Sequence, residues 1–259
     1  MLRSTFLHLE GIGRTTEANL WRAGILDWAE LEGAPGLTAR SHRIREEVRQ
    51  SEAALRDGDP GWFARRLPPS EHWRLYPAFS KAIAYLDIET TSLSPYEGVV
   101  TVVTVHGSLG TRSFVRGDDL DELPAHLGRY GIVVTFNGSL FDIPFLEVHY
   151  PTFIPPPGHI DLRFLFYRIG QAGGLKRIEE RLGIGSRAGV EGVRGLDAVR
   201  LWNEFMRGNS ASLERLVRYN RADTVNLEPL LSYAAKEMRA RLLPPSPSTP
   251  PRPLPHRVR

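Results

Sequence analysis

The chain has no cysteine, so disulfides, thiolate zinc sites and cysteine nucleophiles are all excluded. Lysine is nearly absent, occurring only at Lys81, Lys176 and Lys236, and arginine supplies the remaining positive charge. No stretch approaches the roughly 18 apolar residues in a row that a membrane-spanning helix needs. The opening Met-Leu-Arg-Ser-Thr-Phe-Leu-His-Leu-Glu breaks into polar residues before a signal-peptide core can form, so a cytoplasmic protein with no membrane partner is expected.

Against these absences stand 259 residues that are 41% hydrophobic, enough for one substantial α/β domain and a smaller companion. The net charge is +3 with a pI near 9.3. An arginine-dominated basic balance suits a nucleic-acid partner, because guanidinium pairs bidentately with phosphate and stacks on bases. A GC-rich genome produces the same bias.

Three regions are expected. Residues 1–78 read as helical, with two short helices joined to the Gly11-Ile-Gly13 turn before residue 35 and a charged helix over 38–57. A short helical segment from Pro68 to Tyr76 leads into the main domain. Residues 79–240 change to β-type runs at 82–88, 99–105, 111–115 and 132–136, with a short fifth strand at 159–162. Short turns make the first three a meander, whereas the helix predicted over 118–129 is a crossover that favours parallel pairing of the fourth. This order predicts an α/β fold, a mixed five-stranded sheet of the ribonuclease-H-like kind flanked by helices. Residues 241–259 form a Pro/Arg-rich tail without the composition of a core, expected to be disordered.

Four carboxylates stand out. Asp87 and Glu89 alternate along one strand and so face the same side, where they repel unless a cation is shared. Asp142 follows the 132–136 run at the start of a helix, and an Asp there also suits a helix cap. Tyr219 and Asp223 are four apart on one helix face. Each has an ordinary alternative as a strand-end acid, a cap or a surface pair. Together they offer the hard oxygen ligands that Mg²⁺ or Mn²⁺ takes in two-metal phosphoryl chemistry.

Asp87-Ile-Glu-Thr90, the Asn137 to Leu146 segment with its Phe-Asp-x-Pro-x-Leu core, and Tyr219-x-x-x-Asp223 resemble the three exonuclease motifs of the DEDD superfamily. The resemblance covers about residues 82–235 and is nearest to the tyrosine-bearing branch, which includes the proofreading domains of family B DNA polymerases. Nearer still is a bacterial and archaeal group of stand-alone ribonuclease-H-like domains, whose helix before the last motif Gly174 to Ile184 resembles. The histidine branch carries His where this chain has Arg218. The resemblance implies a 3′ to 5′ exonuclease with two divalent ions, Mg²⁺ or Mn²⁺, ligated by Asp87, Glu89, Asp142 and Asp223. Tyr219 would orient the hydrolytic water, and Asn137 would shape the site or meet the substrate strand. Asp161 and His159 read as structural.

Leu9 to Ile25 resembles a helix-hairpin-helix element, which implies that Gly11, Gly13 and Arg14 bring backbone N–H groups and charge to a phosphate without reading sequence. DNA is the favoured substrate. An RNA-trimming enzyme of the same chemistry and a catalytically silent nucleic-acid-binding module are the alternatives.

Overall fold

The computed structural model describes residues 1–33, 41–190, 192–193 and 195–243. The remaining stretches, among them residues 38–40 of the predicted charged helix and residues 244–259 of the predicted tail, lie outside the described residues.

After a single 3-10 turn at Leu2–Ser4 come four helices, α1 (Arg14–Arg22), α2 (Trp28–Glu32), α3 (Ser41–Arg56) and α4 (Pro60–Ala64). No helix precedes the Gly11-Ile-Gly13 turn apart from that 3-10 turn, so the hairpin reading lacks its first helix. Side chains explain the irregular path. Glu17 accepts from the N–H groups of Phe6 (2.7 Å) and Leu7 (3.3 Å), while the Trp21 and Trp28 indoles donate to the carbonyls of Ser4 and Thr5. Backbone groups satisfied in this way have no need of a helical ladder. The segment predicted over Pro68 to Tyr76 is a 3-10 helix, Pro69–Leu75.

The main domain adds β1 (Ile83–Thr90), β2 (Val100–Gly107), β3 (Gly110–Val115), α5 (Leu123–Leu127), β4 (Ile132–Thr135), α6 (Asp142–His149), β5 (Gly158–Asp161), α7 (Leu162–Arg168), α8 (Leu175–Leu182), α9 (Gly195–Met206) and α10 (Ser210–Leu242). The five strands form one mixed sheet in the order β3-β2-β1-β4-β5, with β1–β2–β3 antiparallel and β1, β4 and β5 parallel. Both the meander and the crossover are as the strand spacing predicts. The crossover helix is shorter than read, a 3-10 turn leading into the five residues of α5, with Pro124 in its first turn and Gly128 just past its end. In contrast, α10 is long and continues through Pro229 to Leu242. Burial of Leu230, Leu231, Ala234 and Met238 compensates for the backbone bond that proline removes.

The alternation of β1 divides the core. Leu86 and Ile88 join a cluster with α5 and α6 on one sheet face. Ile83 and Tyr85 join the other, which continues without a break through α7 and α10 into Trp28, Phe63 and Trp73 of the helical region. A third cluster packs α9 and α10 over Val102 of β2. No helix among the described residues is long and apolar enough to cross a membrane.

Candidate active site

β1 outruns its neighbour. β4 pairs only with Ile83, Ala84 and Tyr85, so the C-terminal half of β1 has one edge without a partner strand, at the point where the sheet changes from antiparallel to parallel pairing. Crevices outside strand ends at such switch points are where open α/β sheets bind ligands. Asp87 and Glu89 occupy this half, and the pairing register shifts at Glu89/Thr90, an irregularity of the kind that re-aims a side chain.

The face that carries these two acids is covered by α10. Its Asn220, fully buried, donates to the Asp87 carboxylate at 2.7 Å and to the Asp87 carbonyl at 3.1 Å. One turn on, Asp223 completes a group in which Asp87, Glu89 and Asp223 each present an oxygen within 4.8 Å of the others.

Asp142 arrives from the far side of the sheet. β4 ends at Thr135 and the chain reverses at Asn137, which has φ +70°, a left-handed value that Asn tolerates better than most residues. A Cβ on Gly138 would collide with Thr135, so only glycine fits this close turn. The reversal places Asp142 at the start of α6, but not as its cap. Its carboxylate instead accepts from the Ile88 N–H at 3.2 Å and fills part of the open edge of β1.

Burial pushes the Asp87 and Glu89 carboxyls well above the usual range, and neighbouring acids, Asp223 first, push them further. Burial also raises Asp142 to about 7. Crowded carboxylates with these properties fit hard divalent cations, which would offset their mutual repulsion. The Asn220 carbonyl oxygen is buried there without a partner.

Tyr219 is buried beside this group. Lys176 of α8 donates to its hydroxyl at 3.0 Å, lies 4.4 Å from its ring centroid, and also bonds the Val193 carbonyl. Burial, and then the charges of Asp223, Glu89 and Asp87, raise the phenol far above its ordinary value, so it remains a neutral phenol.

Several residues that sequence reasoning passed over hold the site together. Arg187 pairs with Asp223 and, at 2.6 Å, with Glu179 of α8. Asn226, one turn beyond Asp223, donates to Glu179 (3.0 Å) and accepts from the Ser186 N–H (3.1 Å). Gly185, at φ +93°, lies against that amide so closely that a Cβ would sit 2.6 Å from it. A signal was available, because Asn220 follows Tyr219 directly, and Lys176 and Glu179 lie in the Gly174 to Ile184 segment.

The other predicted positions make contacts of their own. Asn137 braces its turn, donating from its N–H to Asp161 (2.8 Å) and accepting from Arg163 (2.5 Å). Asp161 also takes the Ser139 and Arg163 N–H groups, and His159 bonds Thr135, so both are structural. Gly11 and Gly13 line a separate recess of about 780 Å³ with Arg43, Trp62 and Arg66. Arg14 is engaged internally, with Glu71 at 3.0 Å and Ser70 at 2.9 Å.

A groove of about 1180 Å³ opens from Glu89, between the loop after β1 and the exposed face of α9.

Residues 84–235 match a family model described as the RNase_H superfamily. No curated protein matches the chain. Among solved structures, the family B DNA polymerase from the hyperthermophilic archaeon Pyrobaculum calidifontis is similar at 20% identity and TM-score 0.46, over 60% of this chain and 25% of that one. The chain thus spans only a quarter of the polymerase's length. Brucella melitensis NrnC with bound Mg²⁺ is similar at 15% identity and TM-score 0.42, over 62% of this chain and 75% of that one. NrnC from the same organism bound to pGG gives 16% identity and TM-score 0.41, over 62% and 74%.

Proposed function

The chain belongs to the RNase_H superfamily, and we propose that it is a metal-dependent nuclease, a 3′ to 5′ exonuclease hydrolysing DNA single strands or frayed ends. The observation that carries this reading is the convergence of the Asp87, Glu89 and Asp223 carboxylates to within 4.8 Å at the open edge of the sheet. The polarity and the preference for DNA rest on the resemblance of the three motifs.

Two divalent ions, Mg²⁺ or Mn²⁺, held by Asp87, Glu89, Asp142 and Asp223, would supply an activated water and stabilise the departing 3′ oxygen. The chain's own groups prepare this. Asn220 fixes the rotamer of Asp87, and Ile88 N–H fixes that of Asp142, so two of the ligands are held in place beforehand. Arg187 does the same for Asp223. Because Lys176 donates to the Tyr219 oxygen, the phenolic hydrogen is free to point toward the acids or a water beside them. With its pKa raised, Tyr219 orients that water by hydrogen bonding and does not act as a base.

The test is degradation of end-labelled single-stranded DNA, blunt duplex and RNA with Mg²⁺ or Mn²⁺, comparing the unsubstituted chain with Asp87→Ala. Loss of one ligand should remove several kcal/mol of transition-state stabilisation, a rate drop of about 10³-fold. Equal digestion by the two proteins would show that the site is elsewhere. The same assay separates DNA from RNA as substrate, and the labelled end reports polarity.

A further inference from the structure

The groove that opens from Glu89 has two unlike walls. One carries the apolar side chains of Leu93 and Phe141 among Thr90, Thr91 and Ser92, and Leu93 is 87% exposed. The other is a face of α9 on which Val199, Arg200, Asn203 and Glu204 recur at helical spacing, continued by Arg207 in the turn just past the helix end.

The polar groups of that face are not equivalent. Arg200 is held by Glu204 at 2.6 Å and by Asp197 at 3.5 Å. Glu204 also accepts from Ser212 at 2.6 Å. Arg200 and Glu204 are thus committed to the helix and its neighbour. Asn203 and Arg207 are exposed and make no side-chain hydrogen bond or ion pair among the described residues. A surface arginine commonly pairs with a nearby carboxylate. The field of Arg207 reaches Glu204, but both oxygens of that carboxylate are already bonded, one by Arg200 and the other by Ser212.

We propose that this face of α9 and the turn after it form the backbone-binding wall of the substrate path, with Asn203 and Arg207 holding phosphodiester oxygens of a single strand whose bases lie against Leu93 and Phe141 opposite. The inference rests on the nuclease reading and deepens it. A strand that enters a pocket of buried carboxylates must have its phosphates met by positive charge outside that pocket, and Arg207 supplies it in the groove that leads there. Bases can present their faces to Leu93 and Phe141 only when unpaired, so the substrate class is single-stranded nucleic acid. Phosphate contact of this kind fixes position without reading sequence.

The experiment uses the full chain in chelator, where no turnover occurs, and measures the anisotropy of labelled short single strands of DNA and of RNA, with a blunt duplex as a third arm. Arg207→Glu should weaken single-strand binding by about tenfold and reduce the salt dependence of log K by about one unit. Arg207→Lys should restore most of the affinity, and both variants should melt like the parent. Equal affinity and equal salt slope in Arg207→Glu would overturn the proposal, as would preferential binding of the duplex or no binding of single strands at all. A parallel digestion with Mn²⁺ separates the two readings. If the strand binds through Arg207 but no substrate is cut, the nuclease reading fails and the binding wall stands. If substrate is cut with an unchanged KM in Arg207→Glu, the wall fails and the nuclease stands.

Discussion

Two clusters of buried acids occur among the described residues, and they are built in opposite ways. In the helical region, Glu17 and Glu71 are almost entirely buried, but each is matched by arginine. Arg74 bonds both oxygens of Glu17 at 2.9 Å and one of Glu71 at 2.6 Å, while Arg14 (3.0 Å) and Arg168 (2.9 Å) take the other oxygen of Glu71. Two carboxylates therefore meet three guanidinium groups. At the end of β1, four acids meet, among the described residues, only Arg187 and, through Tyr219, Lys176. A buried acid with its counter-charge supplied is a fastener, here tying α1 to the 3-10 segment before β1 and to α7. A group of buried acids left short of positive charge stores repulsion that an incoming cation relieves.

The largest effect that would sharpen this contrast is expected in the fastener. Arg74→Met keeps the volume but strands the buried Glu17 carboxylate and leaves Glu71 with two of its three guanidinium partners, and losing one partner of a buried pair costs about 3–5 kcal/mol. Urea unfolding followed by intrinsic fluorescence should show the fall in midpoint. Added Mg²⁺ or Mn²⁺ should not restore the loss, because no cation is missing from the parent cluster. A variant as stable as the parent would make the arginine matching incidental.

Next in size is the response of the acid centre itself. At a divalent-ion concentration about a hundred times the dissociation constant, binding to the folded state alone adds about 2.7 kcal/mol. For a chain of this size the melting temperature then rises by several degrees. Chelator should reverse the rise and Asp87→Asn should abolish most of it, whereas Arg74→Met should still show it from a lower baseline. If Mn²⁺ leaves the melting temperature of the parent unchanged, the two clusters do not differ in the way described.

Much of this contrast could be read in the sequence, although unevenly. The strands were legible because runs such as Val99 to Val105 are β-branched and bounded by turns, and their order and spacing sufficed for the mixed sheet. Asp87 and Glu89 were placed on one face by period-two alternation alone. Asp142 was harder, since a helix-start acid suggests a cap. That it bonds Ile88 N–H depends on β4 being four residues long beside a β1 of eight, a difference that only pairing reveals. The counter-charges were the least legible. Arg74 lies 57 residues from Glu17, and Arg187 lies 36 from Asp223. No periodicity links such pairs, which meet only once the helices pack.

The smallest effect concerns a titratable group in the helical region that has no counter-charge at all. His8 is enclosed by the rings of Trp28 and Phe63, each 5.4 Å away, and by Trp62 at 5.9 Å. Its Nε2 meets the Ser51 hydroxyl at 2.9 Å, and that hydroxyl donates to the Glu47 carbonyl at 2.7 Å. Nε2 must therefore be the donor, which leaves Nδ1 as a bare lone pair, buried without a partner. Protonating Nδ1 would create a buried charge with no acceptor, and burial, then Arg66 and Arg74, lower the pKa from 6.5 to about 3. The unfolded chain takes up this proton below 6.5 while the folded chain refuses it until about 3. Stability from this residue is thus complete above pH 6.5 and is lost on acidification at about 1.4 kcal/mol per pH unit. Between pH 7 and pH 5 the parent should lose about 2 kcal/mol more than His8→Gln, which keeps a donor for Ser51 but does not titrate. Urea midpoints at the two pH values give this difference directly. Equal losses in the two proteins would mean that the ring is reached by water or by an acceptor, and the helical region would then hold its buried polar groups less completely than its arginine-matched acids suggest.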